Sequence, residues 1–294
     1  MTTPRRSIQV LILDMDDTLY RWVDFFAPAL GAMVAKAAEL LGVDEDRIRE
    51  DLKIVHRRRG NTEQPFALLE TDIVQERLPT KPQVERHEFL RPAFAEFNRI
   101  RSERLRLFSD VVPTLTSIKA SGCRIFGHTE ATDVNIRSRI RTLGLQSMLE
   151  AVYAPSFSGP PHPLGDAPHT PLSVVEIREV PSHKRKPDPD VVLGIAREVG
   201  VPPHRCLYVG DNLKKDITMA KHAGMLAAWA RYGAERDPDL WEQVVRVTHW
   251  DPTDAAQAAD VHLDVASPDV ILDAFGELLL HFEFAGVDDT SGYG

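Results

Sequence analysis

Three acidic residues follow directly on the first apolar stretch of the chain. The segment Ile8–Leu19 reads IQVLILDMDDTL, so Asp14, Asp16 and Asp17 stand at the end of a run of branched apolar residues. Carboxylates about 4 Å apart repel each other by about 4 kcal/mol when the effective dielectric constant is about 20. We therefore expect a cation among these side chains, or a partial protonation of them.

Three later segments carry further residues that could do chemistry. Thr129 follows the apolar run 123–127, Lys186 precedes a proline, and both Asp211 and Asp216 lie in the sequence GDNLKKD. Taken singly, an aspartate at the end of a strand is commonly a turn former, and a threonine in such a place commonly caps a helix. A chemical interpretation therefore requires that all of these residues meet at one place.

The elements that must bring them together are short apolar strands. The run 10–13 is fully apolar, which is typical of a strand that is buried on both faces of a parallel sheet. In an open α/β sheet, ligands bind at the carboxyl ends of the central strands. We therefore expect the first strand to deliver Asp14 and Asp16 to a binding site.

Strand and helix patterns alternate through much of the remaining chain, and this alternation is the signature of a parallel sheet. The fold class that we predict is α/β, with a doubly wound, Rossmann-like core. Further strands are predicted at 123–127, 149–153, 206–209 and 225–230, with an edge strand at 259–263 and a last helix from Ser267 to near Phe282.

The region between the first two predicted strands has a mainly helical pattern, with later helical pieces at 65–78 and from about 88 to 107 and with prolines at 79, 82 and 92 as punctuation. It is too long for a simple crossover between parallel strands. We predict an inserted helical cap domain at residues 20–108, and an α/β core formed by residues 1–19 and 109–294.

The segment 155–181 interrupts the alternation of strands and helices. Its richness in Pro, Gly and His indicates a long loop or flap. Within it, the stretch 172–180 is expected to be extended.

Composition and charge narrow the class of protein. The 294 residues carry a formal net charge of −9, which argues against nucleic acid or an anionic membrane as the main partner. Cys123 and Cys206 lie in apolar runs, so we expect reduced core residues and neither a disulfide nor a zinc site. The short apolar run after MTTPRRS fits neither a secretion signal nor a membrane span, and we expect a cytoplasmic protein. The oligomeric state stays open.

The ordered set of motifs resembles the haloacid dehalogenase-like superfamily of phosphatases and related hydrolases. The motifs stand here as DMDDT at 14–18, HTE at 128–130, KP at 186–187 and GDNLKKD at 210–216. Each is short enough to occur by chance, whereas all four in order make a specific signal. The resemblance implies an α/β core with a helical cap inserted after the first core strand.

The resemblance also implies an activity, namely a Mg²⁺-dependent phosphatase that acts on a small phosphorylated metabolite. Asp14 is implied as the nucleophile that forms an aspartyl-phosphate, and Asp16 as the general acid and base. Thr129 is expected to hydrogen-bond a phosphate oxygen. Lys186 is expected to balance the charge of the nucleophile and of the transferring group.

A set of oxygen ligands for Mg²⁺ follows from the same resemblance. The cation is expected to be held by Asp14, the backbone carbonyl of Asp16 and Asp211, with waters and a phosphate oxygen in the remaining positions. Asp216 is expected to orient these ligands or Lys186.

Two positions depart from the family pattern. Glu130 stands where the family often has Asn, and a carboxylate there would repel a substrate phosphate unless it pointed away or met a cationic group of the substrate. Asp17 stands where the family often has Gly, and we interpret it as a residue that caps or turns the backbone.

Other classes of function remain open at this point. A receiver-type phosphoacceptor domain also uses Asp, Thr and Lys on a doubly wound sheet, although it lacks a large cap and usually takes phosphate on its third strand. A catalytically quiet binding protein on the same scaffold is a further alternative, and so are a dehalogenase or a phosphomutase within the family. The acid at Asp16 favours phosphate ester hydrolysis over dehalogenation.

Overall fold

A seven-stranded parallel sheet forms the centre of the molecule. The computed structural model describes residues 6–64, 66–159, 175–248 and 265–287. The strands are β1 Arg6–Ile8, β2 Val10–Leu13, β3 Arg124–His128, β4 Ala151–Ala154, β5 Glu176–Glu179, β6 Cys206–Gly210, β7 Leu226–Ala230, β8 Val270–Leu272 and β9 Phe282–Phe284. The large sheet has the order β5-β4-β3-β2-β6-β7-β8, and β1 pairs with β9 in a separate parallel ladder.

The winding of the sheet confirms the predicted fold class. The chain builds outward from β2 through β5 on one side, and from β6 through β8 on the other. The strand order therefore reverses between β2 and β6, which lie side by side. Ligands bind at this point of doubly wound sheets.

The first apolar run forms the central strand β2, as predicted. Leu11 and Leu13 belong to one apolar cluster and Val10 and Ile12 to another, and all four side chains are fully buried. Apolar residues thus cover both faces of the strand, which explains why its sequence is apolar without alternation.

Four of the five α-helices described between β2 and β3 lie within residues 22–104, and we call this region the helical insert. Its second helix has an Asp44 cap, whose side chain accepts from the Asp46 N–H at 2.8 Å. Gly42, with a φ of 64°, ends the first helix in a left-handed conformation that glycine adopts readily. The helices are α1 Trp22–Leu41, α2 Glu45–Arg59, α3 Asp72–Arg77 and α4 Gln83–Arg104, and a 3-10 turn spans Ala67–Glu70.

The helical piece predicted from about Glu88 to Leu107 is present as α4, which begins earlier, at Gln83, and continues through Pro92. Proline disturbs an α-helix mainly through one lost hydrogen bond and a clash with the preceding turn. The neighbouring Leu90, Ala93 and Phe94 are buried, so packing on both sides of the proline holds the helix together.

The remaining helices connect or flank the strands, and the predicted strands at 10–13, 123–127, 149–153, 206–209 and 225–230 are confirmed, with bounds shifted by at most two residues. The helices are α5 Val111–Ala120, α6 Asp133–Leu143, α7 Asp190–Glu198, α8 Thr218–His222, α9 Arg231–Ala234, α10 Pro238–Val245 and α11 Leu278–His281. Shorter turns are the 3-10 segments Leu145–Ser147, Pro203–Arg205 and Phe275–Glu277 and the π-helical segment Leu213–Ile217.

The last helix, predicted from Ser267 to near Phe282, is wrong over most of its length. Val270–Leu272 instead forms the edge strand β8 beside β7, and only Leu278–His281 is α-helical. A short apolar run has no periodicity that separates helix from strand, and here the open edge of the sheet decides. The edge strand predicted at 259–263 lies outside the described residues. The described part of 172–180 contains β5, so an extended segment is present there.

Both cysteines, Cys123 and Cys206, are buried and free, as predicted.

No single helix in the described ranges is long and apolar enough to cross a membrane. Only the pair of α1 and α2 together has the length and composition of a membrane span, and these two helices are bent by 117° relative to each other.

Candidate active site

The carboxyl ends of β2 and β6 bring the predicted aspartates together. Leu13 of β2 is in register with Val209 of β6, and the Asp14 N–H donates to the Val209 carbonyl oxygen at 2.9 Å. One carboxylate oxygen from each of Asp14, Asp211 and Asp216 lies within 4.8 Å of the others. Residues that are far apart in the chain thus meet beside the point where the strand order reverses.

Asp14 is buried and held by two side chains. Its Oδ1 accepts a hydrogen bond from Lys186 Nζ, and its Oδ2 accepts one from Thr18 Oγ1 at 3.2 Å. Burial raises the pKa of the Asp14 carboxyl to about 8, while Lys186 opposes this rise and Asp216 adds to it. The charge on Asp14 therefore depends on nearby cations.

Lys186 is buried between two carboxylates. Its Nζ pairs with Asp14, lies 2.8 Å from Asp216 Oδ1, and is 5.5 Å from the ring centroid of Tyr208. Although burial lowers the pKa of Lys186, the two aspartates outweigh burial and leave this pKa well above its usual value. Lys186 is thus a fixed positive charge beside Asp14.

Asp216 is the residue that places Lys186. Its Oδ2 accepts from the Asn212 N–H at 3.0 Å, which leaves Oδ1 facing the lysine. The carboxylate packs directly on Gly210, where an added Cβ would lie 2.4 Å from Asp216 Cγ. The glycine that begins GDNLKKD is therefore required by this close approach.

The aspartates offer the donor set of a hard divalent cation. Burial raises the pKa of Asp211 well above its usual value, and the charges of Asp14, Asp216 and Asp17 raise it further. The guanidinium of Arg236 compensates only in part, because its Nη2 lies 3.8 Å from Asp211 Oδ2. Buried carboxylate oxygens with excess negative charge fit a cation such as Mg²⁺.

Thr129 lies at the same edge of the sheet. Leu13 pairs with Gly127 of β3, so the residues after β3 lie next to the residues after β2. The Thr129 side chain is buried, and its Oγ1 accepts from the Ala131 N–H at 3.0 Å. A hydroxyl also has one donor, which this contact leaves available for another acceptor.

Glu130 forms an ion pair with a lysine of the chain. Its Oε2 lies 2.5 Å from Nζ of Lys215, and both side chains are partly exposed. Lys215 belongs to the turn between Asp211 and Asp216. The negative charge that would repel a phosphate is thus paired with a lysine of the protein itself, a partner that the sequence analysis did not identify.

Asp17 turns the chain from β2 into the helical insert. Its φ of 56° lies in the left-handed region, where Asn and Asp are the commonest residues after Gly. Its Oδ1 accepts from the Trp22 N–H at 2.8 Å, at the start of α1. The interpretation of Asp17 as a turning and capping residue is confirmed.

Asp16 faces a partner that the sequence analysis did not identify. Both of its carboxylate oxygens accept from Arg139 Nη1, at 2.8 and 2.9 Å, and 27% of its side chain is exposed. Desolvation by the surrounding protein raises the pKa of Asp16, although Arg139 lowers it, and Glu63 raises it further.

Arg139, Glu63 and Arg236 are residues near the site that sequence reasoning missed. Arg139 lies on α6 beside the buried Ile136 and Ile140, and only 5% of its side chain is exposed. An arginine on the apolar face of a helix is unusual unless it is paired. The position of Arg139 on the apolar face of a predicted helix was the signal in the sequence that could have identified it.

A cavity lies between the helical insert and α6. It has an empty volume of about 860 Å³, counting the space at its mouth, and its wall is mostly apolar. It reaches Arg139, and its aromatic wall consists of Phe25, Phe26, Phe66, Phe94 and Phe97. The cavity therefore borders the arginine that holds Asp16.

Comparison with solved structures supports the fold. A 2-haloacid dehalogenase from Pseudomonas syringae pv. Tomato superposes with a TM-score of 0.54, covering 93% of this chain and 97% of the other, at 22% identity. A putative beta-phosphoglucomutase from Thermotoga maritima gives a TM-score of 0.50 at 15% identity, over 93% and 97% of the two chains. At these identities the likeness shows the architecture alone.

Two proteins similar to this chain in sequence carry the names of phosphatases. The chain is 25% identical over 234 residues to a glyceraldehyde 3-phosphate phosphatase from Methanopyrus kandleri, covering 78% of this chain and 87% of the relative. It is 38% identical over 74 residues to an N-acetylmuramic acid 6-phosphate phosphatase from Pseudomonas aeruginosa. That second match covers 24% of this chain and only 32% of the relative.

A family model covers most of the chain. The model of haloacid dehalogenase-like hydrolases matches residues 8–224, and a second, HAD-hydrolase-like model matches residues 183–278. The first match includes the four motifs at 14–18, 128–130, 186–187 and 210–216. Together with the sheet order and the cluster of aspartates, it identifies this chain as a member of the haloacid dehalogenase-like hydrolase family.

Proposed function

We propose that this protein is a Mg²⁺-dependent phosphatase that hydrolyses a small phosphorylated metabolite through an aspartyl-phosphate on Asp14. The observation that carries the proposal is the position of Asp14, a buried carboxylate that pairs with the ammonium of Lys186 and has carboxylate oxygens of Asp211 and Asp216 within 4.8 Å. The phosphatase names of the sequence relatives support the same reaction class.

In the first half of the reaction, an Asp14 oxygen attacks phosphorus and the bond from phosphorus to the alcohol oxygen breaks. Asp16 gives its proton to that oxygen, so a neutral alcohol leaves. Lys186 Nζ offsets charge on both the nucleophile and the transferring group, and the Thr129 hydroxyl donates to a phosphoryl oxygen.

In the second half, water attacks the phosphorus of the aspartyl-phosphate and the bond between phosphorus and the Asp14 oxygen breaks. Asp16, now ionised, takes the proton of the attacking water, so phosphate leaves and both aspartates return to their starting states. One carboxyl group thus serves as acid and then as base.

The metal is assigned to the buried carboxylates. Asp14, Asp211 and the backbone carbonyl of Asp16 would hold Mg²⁺, which when bound supplies positive charge to the phosphoryl oxygens. Asp216 would act on this set through Lys186, to which it is paired at 2.8 Å.

The helical insert is assigned the role of a cap, with residues 20–108 as the cap domain and residues 1–19 and 109–294 as the core. Its helices, together with α6, enclose the cavity that borders Arg139. A cap in this position would bind the alcohol part of the substrate and exclude bulk water during the reaction.

The test is an assay of phosphate release from a panel of phosphomonoesters, with Mg²⁺ and with EDTA. The panel includes glyceraldehyde 3-phosphate, phosphoglycolate and N-acetylmuramic acid 6-phosphate. We expect metal-dependent release that falls by about three orders of magnitude or more in Asp14→Asn. The exposed Asp239, substituted to Asn, is the matched control and should keep full activity.

The same experiment separates the alternative functions. Stable phosphorylation without turnover would indicate a phosphoacceptor domain, and no reaction with any ester would favour a binding protein. Halide release from a 2-haloacid without phosphate release from esters would indicate a dehalogenase, and transfer of the phosphoryl group to a second alcohol would indicate a mutase. Each of these results would contradict the proposal.

A further inference from the structure

Arg139 connects the core of the molecule with the helical insert. One of its nitrogens, Nη1, donates to both oxygens of Asp16, and the other, Nη2, donates to Glu63. The guanidinium also lies against two rings, 5.2 Å from the centroid of Phe25 and 5.9 Å from that of Tyr20. The two ends of one planar fork therefore hold two carboxylates.

Glu63 is the contact from the insert, in the segment between α2 and α3. Besides Arg139, its carboxylate accepts from Trp22 Nε1 and from Asn135 Nδ2, the latter at 3.1 Å. The same Asn135 nitrogen lies 3.2 Å from the Glu63 backbone oxygen. Glu63 thus attaches this part of the insert to α6 through both its side chain and its backbone oxygen.

The geometry gives Arg139 a task beyond packing. A buried arginine is costly unless it is paired, and a guanidinium fixes the direction of a carboxylate much better than a flexible ammonium does. Because a single nitrogen bonds both Asp16 oxygens, each oxygen keeps a lone pair for another partner. The exposed fraction of Asp16 allows access from the site.

We propose that Arg139 is a positioning residue that holds the Asp16 carboxyl at the leaving oxygen, and that Glu63 of the insert holds Arg139 in place. This inference rests on the proposed function, since it assigns a task to Asp16 in that reaction. Its consequence is that seating of the insert on α6 and orientation of the proton donor are coupled. Displacing Glu63 then loosens Asp16 without touching it.

The test uses the dependence of the rate on the leaving group. A phenolate such as para-nitrophenolate departs without a proton, whereas the alkoxide of beta-glycerophosphate needs one. The value of kcat/KM includes steps only up to release of the alcohol, so it reports the proton donor before the aspartyl-phosphate is hydrolysed. A purely structural role would lower kcat/KM for both esters alike.

We expect Arg139→Gln to raise the ratio of kcat/KM for para-nitrophenyl phosphate over beta-glycerophosphate by about tenfold or more. Asp16→Asn should raise it similarly, and the double variant should raise it no further. Arg139→Lys and Glu63→Gln should give smaller rises in the same direction. Arg137→Gln, which changes an exposed arginine of the same helix, should leave the ratio unchanged.

Other results would overturn the inference. If kcat/KM falls by the same factor for both esters in Arg139→Gln and in Glu63→Gln, the ratio is unchanged and Arg139 does not position Asp16. Should Arg139→Gln fail to fold, Glu63→Gln and Arg139→Lys decide the question. Absence of Asp14-dependent phosphate release from either ester in the wild-type enzyme would instead contradict the proposed function, so the two failures are distinguishable.

Discussion

The candidate site is a group of buried charges in which each residue depends on its neighbours. Lys186 keeps its charge because Asp14 and Asp216 face it, and Asp216 holds its position because it packs on Gly210 and accepts from the backbone N–H of Asn212. Such networks are sensitive to small displacements, since a buried charge without its partner costs several kcal/mol. A single added methyl group therefore suffices to disturb the site.

Gly210→Ala is expected to lower kcat by at least about tenfold, because the new Cβ would lie 2.4 Å from Asp216 Cγ and displace the carboxylate that places Lys186. Steady-state kinetics on the best ester of the panel would measure this. Gly194→Ala is the matched control, since a Cβ there meets nothing within 4 Å, and it should leave kcat unchanged. Equal kinetics for the two variants would contradict the importance of the Gly210 contact.

Two kinds of element build the molecule, and they perform different tasks. The parallel strands β2, β3 and β6 end side by side and bring the acidic motifs to one edge. The helical insert adds Glu63, from the segment between α2 and α3, and the aromatic wall of the cavity. The insert contains a proline in the middle of α4, whereas a proline in a central strand would remove a hydrogen bond of the sheet.

Pro92→Ala is expected to stabilise the protein by up to about 3 kcal/mol, because it restores a backbone donor and removes a clash in the middle of α4. Pro92 is exposed, so the substitution removes no buried packing. Urea denaturation would measure the change in the free energy of unfolding. Pro202, which precedes the 3-10 turn Pro203–Arg205, is the control position, and Pro202→Ala should give no comparable gain. A lower stability for Pro92→Ala would contradict the expected gain.

At the scale of the whole molecule, excess negative charge is concentrated where the strands end. Burial and mutual repulsion raise the pKa values of Asp14, Asp17 and Asp211 together. The metal-free fold therefore carries an electrostatic cost that depends on pH. A bound cation would remove this cost.

The stabilisation by Mg²⁺ is expected to be larger at pH 8 than at pH 6. The pKa of Asp14 rises from 3.8 to about 8 on folding, so the folded protein binds a proton that the unfolded chain has lost, and the free energy of unfolding falls as pH rises through this window. Mg²⁺ competes with that proton and removes the cost of ionisation. The increase in Tm on adding Mg²⁺, measured by calorimetry at both pH values, checks this.

The control for the pH experiment is Asp14→Asn, which removes one titrating group and one ligand. Its Tm should depend less on pH between 6 and 8 without metal, and Mg²⁺ should raise it less. An increase in Tm that is equal at both pH values, or larger at pH 6, would contradict the link between Mg²⁺ binding and ionisation of the cluster.

The sequence by itself determined the parallel α/β core, the first strand, the helical insert and the aspartates that meet. These features were readable because a strand buried on both faces must be apolar along its length, and because parallel strands end at a common edge. The strand and the short helix near the carboxyl end of the chain could not be predicted, since apolar runs of three or four residues have no period that distinguishes a strand from a helix.

Only the tertiary structure decided which side chains face each other across distant parts of the chain. The pairing of Glu130 with Lys215 and the bridge from Asp16 through Arg139 to Glu63 join segments that no local pattern connects. Hydrophobic periodicity reports which face of an element is buried, whereas the partner of a buried charge depends on how whole elements pack. The sequence therefore predicted the acids, and the packing of the insert against α6 determined which cation holds one of them.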